Sequence, residues 1–132
     1  MEASASTSSP AEFAFTLTVS CEPAFADAER ALASRAGALA GCSDEHSRRL
    51  GACLGGVFEA LIAGGVTHAT DVDLDVRGTS RVVTIDLQCP LDCRAVVADA
   101  VAAPPLQQLV DRLECRESNG RTCCRVTQQV HA

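Results

Sequence analysis

The sequence contains no tryptophan, no tyrosine and no lysine, and its aromatic content is four phenylalanines. A core built from it must be aliphatic. All eleven basic side chains are arginine, and the net charge is -6. No run of arginines offsets that balance locally, so the electrostatic attraction that drives nucleic-acid binding is missing. A protein partner is the expected default. No apolar run approaches the length of a membrane span. The opening "MEASASTSSPAEF" has neither the basic start nor the apolar stretch of a signal peptide, so a cytoplasmic protein is expected. Eight cysteines are present without a C-x-x-C pair, and the three histidines (His46, His68, His131) are scattered. The zinc-site templates fail, no metal site is expected, and most of the cysteines read as small buried thiols.

What is there fits one domain. The Ser/Ala-rich tail over residues 1–12 is expected to be disordered, with a single domain over 13–132. "FAFTLTVS" (13–20) alternates Phe13, Phe15, Leu17 and Val19 against small and polar residues, a strand with one buried face. Pro23 opens a helix whose apolar stripe is Phe25, Ala28, Leu32, Ala36 and Leu39, with Gly41 as its C-cap. Ser43 caps a second, longer helix, with Asp44 and Glu45 in its first turn. Leu50, Cys53, Leu54, Val57, Phe58, Leu61 and Ile62 follow the helical period until Gly64-Gly65 breaks it.

"DVDLDVRG" (71–78) alternates Val72, Leu74 and Val76 with Asp71, Asp73, Asp75 and Arg77. The strict alternation makes these aspartates the wet face of a strand rather than a calcium loop. After the turn at 78–80, residues 81–89 place Val83, Ile85, Leu87 and Cys89 on one face, completing an antiparallel hairpin. A short helix is expected over 92–101, stopped by Pro104-Pro105, and a second over 106–113. Asn119-Gly120 then turns a last hairpin that sets Cys115 opposite Cys124, Glu114 opposite Arg125 and Leu113 opposite Val126. The expected fold is α+β: a two-layer sandwich of a mostly antiparallel sheet with helices on one face.

This order, with the segment "GACLGGVFEALIAGGVTHA", resembles the ATP-binding domain of bacterial anti-sigma-factor serine kinases. They belong with the histidine-kinase, gyrase and MutL ATPase domains. The resemblance covers residues 13–130. It implies a histidine-kinase-type ATPase-like fold, with ATP and magnesium as cofactors where the site is intact. In that family the long helix carries Glu-x-x-x-Asn; the Glu activates and the Asn holds magnesium. Glu59 matches the Glu, and Ala63 stands where the Asn belongs. Alanine supplies no oxygen to a hard cation. His68 falls one residue later than the family spacing.

The family's Asp-x-Gly-x-Gly is also altered. Asp86 is out of phase with the buried face of its strand; by phase the motif lands on Cys89-Pro90-Leu91-Asp92-Cys93. Cys89 then replaces the Asp that reads adenine, and Leu91 and Cys93 replace the glycines. Residues 90–112 contain no glycine, so the phosphate-wrapping lid is missing as well.

The resemblance therefore implies a degenerate member, a pseudo-kinase without a bound cofactor. It would be a regulatory protein in bacterial transcription or signalling, working through protein–protein contacts. Expected partners are a sigma factor, an anti-sigma antagonist or a second copy. One alternative is an active serine kinase using Glu59 as base. Another is a metal or redox module built on Cys89 and Cys93. The helix face around Glu59 is small and nearly uncharged (Ala52, Gly55, Gly56, Ala60, Ala63), so something is expected to come close to it. Side chains from residues 90–105 are expected to fill the nucleotide space, leaving Glu59 paired with an arginine or at the rim.

Overall fold

The computed structural model describes residues 12–66 and 70–130. The tail through residue 11, His68 and His131 lie outside the described residues. Strand β1 (Phe13–Ser20) passes through a 3-10 turn (Pro23–Phe25) into helix α1 (Ala26–Ala40) and then α2 (Asp44–Ala63). The hairpin β2 (Asp71–Gly78) and β3 (Val82–Pro90) follows. A 3-10 turn (Leu91–Cys93) leads into α3 (Arg94–Ala102) and α4 (Pro104–Gln107), and β4 (Arg112–Ser118) and β5 (Arg121–Gln129) close the chain. The sheet runs β1-β2-β3-β5-β4, antiparallel at every pairing. The fold is α+β.

The alternations seat the sheet. Val72, Leu74, Val76, Val83, Ile85, Leu87, Cys89, Cys124 and Val126 are all fully buried, facing α2's stripe of Leu50, Cys53, Leu54, Val57, Phe58 and Leu61. Each such aliphatic side chain contributes about 1.5–3 kcal/mol by leaving water. Ser43 Oγ accepts the His46 N–H at 3.1 Å, with Asp44 and Glu45 in the first turn of α2. Gly41 ends α1 at φ 105°, in the left-handed region where glycine has no Cβ to clash. Asn119 (φ 55°) and Gly120 (φ 74°) form the tight turn, and the register pairs Cys115 with Cys124 and Leu113 with Val126. All eight cysteines are free thiols.

Three expectations need correction. Phe15 and Leu17, read as buried, are 37% and 42% exposed. They point to the helix side of the sheet, but β1 is an edge and α1 packs over β2 and β3 instead. The buried stripe of α1 is Ala26, Glu29, Ala33, Ala36, Gly37 and Ala40, while Ala28 and Leu39 are exposed. The second short helix starts earlier and stops sooner, at Pro104–Gln107, and Arg112 and Leu113 belong to β4. Proline, lacking an N–H, is at home in a first helical turn, so Pro104-Pro105 starts a helix as well as stopping one. Glu114 does stand opposite Arg125, but the Arg125 guanidinium turns to Asp86.

Asp86 is on the face away from the helices, as its phase requires, yet it is only 4% exposed. Arg125 grips it through Nε at 2.7 Å and Nη2 at 2.9 Å, and Arg77 Nη2 adds a third contact at 3.2 Å. Two guanidiniums cover the carboxylate, which makes its burial tolerable. Nearby, Asp73 accepts from Thr18 Oγ1 at 2.6 Å and pairs with Arg121. These bonds hold its carboxyl below the ordinary value. Asp73 and Asp86 thus serve as cross-strand ties on the open face.

Candidate functional site

Glu59 lies in the last turns of α2, with Ala63 as the final helical residue. The glycines upstream explain the small face between them and the helix start. A Cβ on Gly51 would meet the Arg30 carbonyl oxygen at 2.6 Å and also Ser34 Oγ; one on Gly55 would meet Arg30 Nε at 2.7 Å. The group that comes close to this face is therefore α1. Gly37 repeats the arrangement from the other side, where a Cβ would sit 3.0 Å from Ser47 Oγ. The helices approach closely because Gly37, Gly51 and Gly55 stand at the crossing.

Arg30 emerges from this crossing and pairs with Glu59, Nη2 to Oε2 at 2.6 Å, while its Nη1 donates to Asp27 at 3.0 Å. Glu59 remains half exposed, so it is both paired and at the rim. Exposed ion pairs contribute little. Replacing Arg30 by Ala is expected to cost about 1 kcal/mol, mostly the packing of its stem on Gly55. Urea unfolding of the variant measures this.

Beyond Gly55 the covering elements change. Leu106 of α4 would meet a Cβ on Gly56 at 2.5 Å, and Val96 of α3 would meet one on Gly64 at 2.6 Å. Val96 falls within the 90–105 segment expected to fill this space; Leu106 lies one residue past it, and α1 covers the rest. Gln107 Nε2 ties this segment down by donating to the carbonyl of Val101, with a second bond to Leu113 O at 3.3 Å.

The candidate residues do not converge. Glu59 and Ala63 line a cavity of about 240 Å³ with Pro23, Ala26 and Ile62. Cys93 lines a different one, about 270 Å³, with Gly64, Gly65, Val66, Thr70, Asp92 and Val96. Cys89 is fully buried, its Sγ donating to Thr122 O at 3.9 Å, and Leu91 is exposed. Both cavities fall below the ~300 Å³ of common ligand sites. Among the described residues, each lining holds a carboxylate (Glu59 or Asp92) and no arginine or histidine.

A larger hollow of about 400 Å³ lies outside the α1–α2 crossing and contains Arg30 and Arg48. Arg30 is paired with Asp27 and Glu59, and Arg48 with Glu45. Another, about 420 Å³, sits at the end of the sheet against Arg81, Thr127 and Val130, away from every candidate residue.

The thiols are held in their neutral form. Burial, reinforced by the neighbouring Cys93 thiol, pushes Cys89 up to about 12, and burial raises Cys93 too. A thiol that keeps its proton is a poor nucleophile. Among the described residues no three His, Cys, Asp or Glu side chains are grouped to hold a metal ion, and no helix is long and apolar enough to cross a membrane.

Sequence reasoning missed Glu29. It is 1% exposed, and among the described residues neither carboxyl oxygen has a hydrogen-bond partner. Burial lifts it to about 8. A signal was present: Ala26, Glu29, Ala33, Ala36 and Ala40 step by three and four along one helix face. No family model matches this chain, and no curated protein does.

Proposed function

We propose that this chain is a non-catalytic regulatory protein, a degenerate relative of the anti-sigma-factor kinases with a histidine-kinase-type ATPase-like fold. It works by protein–protein contact. Its partner is a sigma factor, an anti-sigma antagonist or a second copy. The observation that carries the reading is the Arg30–Glu59 pair beside Ala63. The one acid matching the family motif is engaged with a helix neighbour, and the position four residues on has no oxygen to hold magnesium. Leu106 and Val96 against Gly56 and Gly64 support it further, because they occupy the flank of α2 that a nucleotide would need.

The competing reading is a serine kinase with Glu59 as base. Incubation of the purified chain with radiolabelled ATP and magnesium separates them. The regulatory reading expects neither phosphate release nor protein labelling above a no-protein control. Turnover that disappears in Glu59→Gln would overturn it in favour of the kinase.

A further inference from the structure

Of the eight cysteines, all of them among the described residues, Cys115 alone is partly exposed; the others are buried. It lies in the middle of β4 and packs against the margin of the core. Its register partner on β5 is Cys124, which is fully buried. The hairpin fixes how close the two stand. Asn119-Gly120 is a tight loop closed by Ser118 and Arg121. The closing pair of such a loop is hydrogen-bonded, and pair types alternate along an antiparallel ladder. Glu117–Thr122 is then non-hydrogen-bonded, Arg116–Cys123 hydrogen-bonded and Cys115–Cys124 non-hydrogen-bonded. In a non-hydrogen-bonded pair the Cα atoms are about 4.5 Å apart and the side chains lie close on one face. A disulfide spans Cα separations of about 4.4–6.8 Å, so this pair stands within bridging range.

The surroundings select Cys115 as the thiol that reacts first. Solvent reaches it, and Arg94 of α3 stands beside it while pairing with Glu117 at 2.7 Å. Burial raises the Cys115 thiol above its ordinary value, and the guanidinium opposes that rise. Cys124 is pushed well above its ordinary value by burial, so it serves as the second sulfur rather than the first. Cys123 is adjacent in sequence but faces the other side of the sheet.

We propose that Cys115 and Cys124 form a redox modification site, a dithiol that hydrogen peroxide converts to a cross-strand disulfide. The Cys115 thiol gives up its proton and the thiolate attacks one peroxide oxygen. The S–O bond forms, the O–O bond breaks, and the departing hydroxide takes the proton to become water. Cys115 is then a sulfenic acid. The Cys124 sulfur attacks the Cys115 sulfur, the S–S bond forms and the S–O bond breaks. Hydroxide leaves with the Cys124 proton as a second water. The two thiols have lost two electrons and two protons, and one peroxide has become two waters. The first step is slow, because the thiol is mostly protonated; the second joins neighbours. The bridge ties β4, an edge strand, to β5, the strand on which it rests. The pair acts whether or not α2 takes a nucleotide.

Thiol counting and peptide mapping after exposure to millimolar hydrogen peroxide test the site. Two of the eight thiols should disappear with no change in oligomer mass. Trypsin cuts after Arg112, Arg116, Arg121 and Arg125, so the oxidised chain should release peptides 113–116 and 122–125 joined to each other. Its urea midpoint should rise, and dithiothreitol should restore both the eight thiols and the lower midpoint. Cys123→Ser should cross-link like wild type, and Cys115→Ser should keep all its remaining thiols over the same interval. Persistence of eight thiols, sulfinic acid at Cys115 without a cross-link, or a bridge from Cys115 to the neighbouring Cys89 would overturn the proposal. Should Cys123→Ser misfold, fragmentation of the joined wild-type peptides decides: a bond at Cys124 supports the site, and a bond at Cys123 overturns it.

Discussion

Replacing Glu29 by Gln is expected to stabilise the fold by roughly 4 kcal/mol near pH 9 and to leave it nearly unchanged near pH 5. Glu29 lies in the alanine stripe of α1 with both oxygens unpaired among the described residues, and burial raises its folded value from 4.5 to about 8. Between those values the folded chain holds a proton that the unfolded chain has released. More protons bound to the folded state means that stability falls as pH rises. The full contribution of the protonated acid is present below 4.5; it is lost progressively up to about 8 and the curve flattens above. The neutral amide of the Glu29→Gln variant follows no such curve. Cys21, also raised by burial and by the nearby Cys93 and Glu29, titrates the same way but from a reference of 9.0, so between about 5 and 8 the difference between wild type and Glu29→Gln reports the carboxyl. Urea unfolding at a series of pH values gives both curves. A wild-type slope absent from that window would show that Glu29 finds a partner in solution.

Gly51→Val is expected to cost more than about 3 kcal/mol, enough to threaten folding. The added Cβ would meet both Ser34 Oγ and the Arg30 carbonyl of α1. A side chain can swing away, but a carbonyl moves only with its helix. Trimming Ser34 to Gly should therefore fail to rescue Gly51→Val. Because the Arg30–Glu59 pair springs from the same crossing, displacing α1 also breaks it. Gly65→Ala is the contrast. That glycine has φ 92° and, among the described residues, nothing within 4 Å of its Cβ position, so left-handed strain of about 1 kcal/mol is expected. Circular dichroism and urea midpoints compare the variants.

The strands were legible because each pattern acts locally. Val72, Leu74 and Val76 alternate with charges, and Asn119-Gly120 accepts the positive φ that a two-residue turn demands, so cross-strand partners followed by counting. Burial on β1 was not legible, because alternation says that Phe15 and Leu17 share a face but not whether a helix reaches over them. For α1, bulk competed with closeness. Phe25, Leu32 and Leu39 form a real apolar stripe, but the helix buries its Ala26, Ala33, Ala36 and Ala40 face instead and leaves Leu39 outside. Spacing alone favoured the larger residues; Gly51 and Gly55, one turn apart, marked only the side on which Arg30 and Ser34 come close.

The candidate site was legible in a similar sense. On the proposed reading, Ala63 where the family has Asn, and Leu91 and Cys93 where it has glycines, are identities visible in the sequence itself. That Glu59 pairs with Arg30, and that Asp86 is covered by Arg77 and Arg125, depends on residues far apart in the chain coming together. No periodicity encodes such pairings.

Isothermal titration of Mg-ATP into the purified chain addresses the central claim most directly. With the acid of α2 engaged by Arg30, alanine at position 63 and a carboxylate in each flanking cavity, the expected result is no heat beyond dilution up to millimolar nucleotide. A saturating isotherm with a micromolar Kd, lost on chelating magnesium, would contradict the account.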